Sequence, residues 1–116
     1  MLLIVDDELA NRFMLRVILE DEGYEVDEAN GGVAALEHRL ADVDAIVLDY
    51  RMPDMNGVDV ATELRARGWG GPIVLYSAYF APELARKVEE AALNVQLVDK
   101  SDHDGLLAAL EALRVA

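Results

Sequence analysis

The stretch VLDYRMPDMNG, residues 47–57, decides how the chain is read. Its opening residues close an apolar run that starts at Ala45, and Asp49 stands directly at the end of that run. A short β-branched and leucine-rich run reads as a buried strand. Pro53, Asn56 and Gly57 follow within a few residues and turn the chain sharply. The stretch is thus a strand that ends on a carboxylate and folds back into the next segment.

The same form recurs along the chain. LLIV at 2–5, YEV at 24–26, AIVL at 45–48, PIVLY at 72–76 and VQLV at 95–98 are candidate strands. Between them lie helical spacings, the clearest being Ala10, Phe13, Met14, Val17 and Ile18, which predict a first helix with that face apolar. Shorter stripes follow at Val33, Leu36 and Leu40, then at Val60, Ala61 and Leu64. Two more are Leu84, Ala85, Val88, Ala91 and Ala92, and Leu106, Leu110 and Leu113. Gly23 suits a helix stop, Pro82 a first helical turn, and Gly68 to Pro72 a break before the fourth strand.

Apolar strands alternating with helices imply a parallel sheet covered on both faces by right-handed crossovers. The expectation is one doubly wound α/β domain over residues 1–116, a three-layer sandwich with five helices. Its five-stranded sheet would take the flavodoxin-like order 2-1-3-4-5.

Composition agrees and narrows the partners. The chain has 116 residues, 53% of them hydrophobic, enough to fill one core despite a formal net charge of −13. Ten Lys plus Arg against 23 Asp plus Glu leave no basic stripe for a phosphate backbone, so no direct nucleic-acid binding is expected. The charge also disfavours anionic membrane surfaces, and no apolar run reaches the roughly 18 residues of a spanning helix. Met1 to Val5 has no basic flank and stops at Asp6 and Asp7, unlike a signal peptide. A soluble, cytoplasmic protein is expected. The absence of cysteine excludes disulfides, thiolate catalysis and thiolate zinc sites.

In an open parallel sheet the functional crevice lies outside the carboxyl ends of the strands. There the chain places Asp6 and Asp7 after strand one, Asp49 after strand three, Ser77 after strand four, and Asp99 with Lys100 after strand five. Each has a plain structural reading: Asp7 as a helix cap, Ser77 as a turn hydroxyl, Lys100 as a solvated amine. Taken together they fit less well with that reading, because clustered anions must raise a pKa or bind a cation to coexist. Carboxylates without Cys or His select a hard ion, and a site that leaves room for waters suits Mg²⁺ better than Ca²⁺. A phosphoryl group would complete such a metal's shell, with Lys100 as a point charge and Asp49 as nucleophile.

IVDDE at 4–8, VLDYRMPDMNG at 47–57, YSA at 76–78 and DKS at 99–101 resemble the receiver domain of two-component response regulators, in order and spacing over essentially the whole chain. The likeness is of the chemotaxis-regulator kind. It implies that Asp49 accepts a phosphoryl group from a sensor histidine kinase or phosphotransfer protein. Asp6, Asp7, Asp49 and the backbone carbonyl of Arg51 would hold Mg²⁺, while Ser77 and Lys100 would bind phosphoryl oxygens. The chain would then be a signalling phosphoprotein and no enzyme beyond its own phosphorylation and dephosphorylation. The resemblance further implies a switch repacking the face of the fourth helix, fifth strand and fifth helix, where a downstream protein or a second copy would dock.

Two positions depart from the family pattern. Leu97 stands where an aromatic residue is common, and Ser101 where a proline follows the lysine. Leu97 has no ring to swing between rotamers, so Tyr76 and Tyr79, flanking the switch hydroxyl, are candidates for part of that role. Ser101 leaves the lysine loop free to use the ordinary trans peptide. Arg51 and Tyr79 occupy positions that tune phosphoryl lifetime in the family.

The residues fit other folds of this kind less well. A phosphatase of the haloacid-dehalogenase kind would want an aspartate at position 51, which is Arg51, and a flavodoxin phosphate loop would be repelled by Asp6, Asp7 and Glu8. A pseudo-receiver that only docks partners is the alternative, since both departures lie in the switch apparatus. His38 and His103 read as surface groups, Trp69 as a loop cover, and EDEGYEVDE at 20–28 as a solvated edge. The chain has the length of a single-domain regulator or of a receiver cut from a longer protein.

Overall fold

The computed structural model describes residues 1–78 and 82–114, so Tyr79 lies outside the described residues. The strands are β1 (Leu2–Val5), β2 (Val26–Ala29), β3 (Ala45–Asp49), β4 (Ile73–Ser77) and β5 (Val95–Asp99). The helices are α1 (Leu9–Asp21), α2 (Gly32–Glu37), α3 (Gly57–Ala66), α4 (Pro82–Glu90) and α5 (His103–Arg114). All strands pair in parallel in the order β2-β1-β3-β4-β5, as expected from the alternating pattern.

Strand periodicity builds the layers. Successive side chains point to opposite faces. Leu3, Val5, Ile46, Leu48, Ile73 and Leu75 therefore join one core with Val60, Leu64 and Leu84. Leu2, Ile4, Val47, Val74, Tyr76 and Val98 join the other with Leu15, Leu19, Leu106 and Leu110. Every residue of β1, β3 and β4 is buried, whereas the edge strands β2 and β5 carry exposed polar residues at Asp27 and Gln96. Charged positions on an edge discourage pairing with another sheet.

Three elements differ from the sequence expectation. The apolar stripe on α1 points mostly outward: Phe13 is 66% exposed, Val17 51% and Met14 38%. Leu15 and Leu19 face the core instead. Arg12 and Arg16 take places beside them because Glu28 on β2 accepts from Arg12 Nε at 3.1 Å and from Arg16 Nε at 2.7 Å. Counting apolar residues cannot detect a face completed by paired charges. Strand β2 starts at Val26 rather than Tyr24 and runs through Asp27 and Glu28, polar residues an edge strand tolerates. Finally, α2 stops at Glu37, and Leu40 belongs to a 3-10 turn over Leu40–Asp42.

Helix α2 is short and has no side-chain cap of its own. Asp54, from the loop after β3, supplies one, accepting from Gly32 N at 3.2 Å and Val33 N at 2.9 Å. Those amide bonds hold the Asp54 carboxyl below its ordinary range, the Val33 contact contributing most. Asn56 caps α3 in the usual way, its side-chain oxygen accepting from Asp59 N at 2.8 Å. Trp69 does cover the loop before β4, with the Arg65 guanidinium 5.8 Å from its ring centroid.

Candidate functional site at the carboxyl edge of the sheet

The end of each central strand delivers one polar side chain to the same edge. Asp6 follows β1 and is 1% exposed, Asp49 closes β3 at 7%, and Ser77 closes β4 at 1%. These are the buried polar residues among those described. Asp7 is half-buried beside them, and one carboxylate oxygen from each of Asp6, Asp7 and Asp49 lies within 4.8 Å of the others. A cleft of ≈ 350 Å³ opens at Asp49, lined also by Glu8, Arg51, Ser77, Ala78 and Lys100. The structure thus brings together the residues singled out at the strand ends, with one exception. Asp99 serves its own loop, its Oδ1 accepting from Ser101 N at 2.8 Å and Ser101 Oγ at 2.6 Å.

Lys100 answers the negative charge. Its Nζ lies 3.1 Å from Asp49 Oδ1 and 3.2 Å from Asp6 Oδ2. Burial pulls the ammonium's pKa down, but Asp49 and Asp6 outweigh it and hold it above its ordinary value. Burial pushes Asp49 the opposite way for a carboxyl, up to about 6, with Asp6 adding repulsion and Lys100 offsetting part of both. One ammonium among three carboxyl groups leaves the cluster short of positive charge.

Asp6 shows where the shortage lies. Its Oδ1 accepts from Glu8 N at 2.9 Å. Its Oδ2 is buried and makes no hydrogen bond, the Lys100 ammonium acting as a nearby charge rather than a directed donor. Buried carboxylate oxygens rarely stay unbonded without an ion to meet them. The donor set, all oxygen and acidic, therefore fits a hard divalent cation such as Mg²⁺.

Two contacts behind the site escape any reading of motifs. Arg12 Nη1 donates to the Asp6 carbonyl at 2.8 Å, fixing the loop that carries the acidic pair. The Tyr76 hydroxyl donates to the Lys100 carbonyl at 2.7 Å. Tyr76 is 1% exposed, so in this structure its ring lies inside. Its strand position points it into the α1 and α5 layer. Leu97 is half-buried against the opposite core. The described residues hold no cis peptide bond, so Lys100–Ser101 is trans as expected. His38 is held at the surface by Asp27 at 2.7 Å, and His103 lies 6.4 Å from the Tyr76 ring.

The fold and the site together define a doubly wound α/β domain with an acidic cleft at the carboxyl edge of its sheet, and comparison with known proteins gives the family. The family model for the response regulator receiver domain matches residues 2–111. The chain is 35% identical to the sensory/regulatory protein RpfC of Xanthomonas campestris over 99% of its own length and 16% of that protein's. It is 32% identical to the transcriptional regulatory protein ZraR of Escherichia coli over 95% of its length and 25% of that protein's. The chain therefore spans about a sixth and a quarter of these relatives. Among solved structures, the chemotaxis protein CheY4 of Vibrio cholerae superposes with a TM-score of 0.85 at 28% identity, covering 97% of this chain and 96% of that one. The response regulator TrrA of Thermotoga maritima, solved in complex with Mg²⁺-BeF, gives 0.84 at 32% identity over 97% and 96%. The chain belongs to the response regulator receiver domain family of two-component systems. No helix among the described residues is long and apolar enough to cross a membrane.

Proposed function

We propose that the chain accepts a phosphoryl group on Asp49 from the phosphohistidine of a sensor histidine kinase or phosphotransfer protein, in a Mg²⁺-dependent reaction. The observation that carries this is the single Lys100 ammonium shared between Asp49 and Asp6 in a cluster of three carboxyl groups. Mg²⁺, held by Asp6, Asp7, Asp49 and the Arg51 carbonyl, would supply the positive charge that phosphoryl oxygens need. The solved relative TrrA, in complex with Mg²⁺-BeF, is consistent with that chemistry.

The chain's own residues would divide the work. An Asp49 oxygen forms the bond to phosphorus while the phosphorus–nitrogen bond of the donor breaks, and the freed imidazole takes up a proton. Because Asp49 titrates near 6, it is largely ionised and nucleophilic at neutral pH. Lys100 then moves its charge from the carboxylate to a phosphoryl oxygen, and the Ser77 hydroxyl donates to another. The chain turns over nothing but its own phosphoryl group. Its location would be cytoplasmic, and its output would pass through the face formed by α4, β5 and α5 to a downstream protein or a second copy.

The test is intact mass. Incubation with Mg²⁺ and acetyl phosphate should add one phosphoryl group to the native chain and none to Asp49→Asn. No added mass, or an addition that survives in Asp49→Asn, would leave a docking role independent of phosphorylation as the better reading.

A further inference from the structure

We propose that Tyr76 is a positioning residue for Lys100: its hydroxyl braces the main chain of the lysine, so that Lys100 and Ser77 are carried by one rigid strand end. This rests on the reading of Lys100 as the phosphoryl-binding cation, yet part of its test does not depend on phosphorylation.

Lys100 has a long flexible stem, and the protein can aim its ammonium only by fixing the backbone from which the stem starts. Both main-chain groups of Lys100 are tied to the end of β4. Its amide donates to the Ser77 carbonyl at 2.8 Å, and its carbonyl accepts from the Tyr76 hydroxyl at 2.7 Å. The two anchors come from consecutive residues, one through the backbone and one through a side chain. Below them, the Asp99 carboxylate gathers the Ser101 amide and hydroxyl, and the Asp102 amide returns to the Asp99 carbonyl at 2.9 Å. Ser101 itself has no ring to stiffen the loop.

Tyr76 is suited to act as a rigid arm. It pairs with Asp49 on β3 and with Val98 on β5, and its ring is buried among Ile4, Val47, Val74 and Leu106. For filling that space a phenylalanine would serve equally, whereas a buried phenol costs free energy unless its hydroxyl finds an acceptor. Burial and the nearby Asp99, Asp102 and Asp6 push the phenol up to about 12, so it stays a donor at every working pH. Any shift of Ser77 toward a bound phosphoryl group would be passed to Lys100 through the same strand end.

Tyr76→Phe removes the hydroxyl and keeps the ring. Lys87 and Lys100 are the chain's lysines, so their side-chain nitrogens can be followed separately by NMR, without any phosphodonor. In Tyr76→Phe the Lys100 side-chain nitrogen resonance should move and the Lys100 backbone amide should exchange several-fold faster, because the loop's hold on the end of β4 slackens. A Lys100 nitrogen resonance and amide exchange rate identical to those of the native chain would overturn the proposal, whether or not Asp49 is phosphorylated. The acetyl phosphate reaction should slow by about three- to tenfold, the loss of one hydrogen bond's worth of positioning. In a Lys100→Ala background the same substitution should change the rate by less than about twofold; an equally large drop there would mean that Tyr76 acts by stability alone. In the unmodified protein, the Tyr76 hydroxyl proton should exchange slowly and show a nuclear Overhauser contact to the Lys100 α-proton. Absence of that resonance would sink the proposal without recourse to any variant.

Discussion

Gly57 closes on the backbone of Asp49: a Cβ placed at position 57 would lie 2.6 Å from the Asp49 carbonyl oxygen. Its amide also donates to the Tyr50 carbonyl at 2.7 Å, so the first turn of α3 is pressed against the end of β3. Alanine favours a helix over glycine by about 1 kcal/mol in general. Here the overlap with backbone, and with Leu75 Cδ1 at 2.6 Å, should reverse that sign. Gly57→Ala is expected to cost about 1–3 kcal/mol by urea unfolding, typical of overpacking. Gly70→Ala, where a Cβ would meet nothing within 4 Å, is the control and should be near neutral. Equal midpoints for the two variants would refute the close approach.

The raised pKa of Asp49 makes a prediction about acid. An unfolded aspartate titrates near about 3.9, and the folded one near about 6. Between these values the folded state binds the proton more tightly, so this group's contribution is fully favourable below the unfolded pKa and is lost as pH rises through the folded one. Asp49→Asn carries no such term. In chelator-treated buffer, the stability of Asp49→Asn relative to the native chain should rise from pH 4 to 6 and then level off (roughly the window between the two pKa values). A difference that stays flat or falls across that window would contradict the assignment.

Divalent metal should relieve the same strain of charge. Thermal unfolding is expected to shift upward with added Mg²⁺, by about 1.4 kcal/mol at a concentration ten times the dissociation constant. Asp6→Asn removes the buried oxygen that lacks a hydrogen-bond donor. That variant should lose most of the shift while keeping its fold. An undiminished Mg²⁺ response in Asp6→Asn would place the ion elsewhere.

Helix α1 offers a direct contrast between its two faces. Leu15 and Leu19 are 1% and 0% exposed, and truncation to alanine should cost about 2–5 kcal/mol each. Phe13 is 66% exposed, so Phe13→Ser should fall within about 0.5 kcal/mol of the native chain. Denaturant midpoints for the three variants decide it: a large penalty at Phe13 would mean that the outward stripe is a core after all.

That contrast also locates what could and could not be read from the residues alone. The strand order and the gathering of Asp6, Asp49, Ser77 and Lys100 were legible, because runs such as AIVL and IVLY are apolar throughout and end on polar groups. A parallel sheet sends such ends to one edge by necessity. The orientation of α1 was not legible, since two stripes compete on it and Glu28 decides between them by pairing with Arg12 and Arg16. Contacts made through the backbone, such as Tyr76 to the Lys100 carbonyl and Arg12 to the Asp6 carbonyl, leave no mark in residue spacing. Asp54 capping a helix that precedes it by more than 20 positions is of the same kind.

The outward stripe of Leu9, Phe13 and Val17 has a colloidal consequence. At neutral pH a net charge of −13 opposes the approach of one copy to another. Near the isoelectric point, about 4.3, that repulsion vanishes while the stripe remains. Light scattering on the native chain should rise steeply there and fall in Phe13→Ser, so the protein's dispersal in water is governed by its carboxylates and limited by one side of one helix.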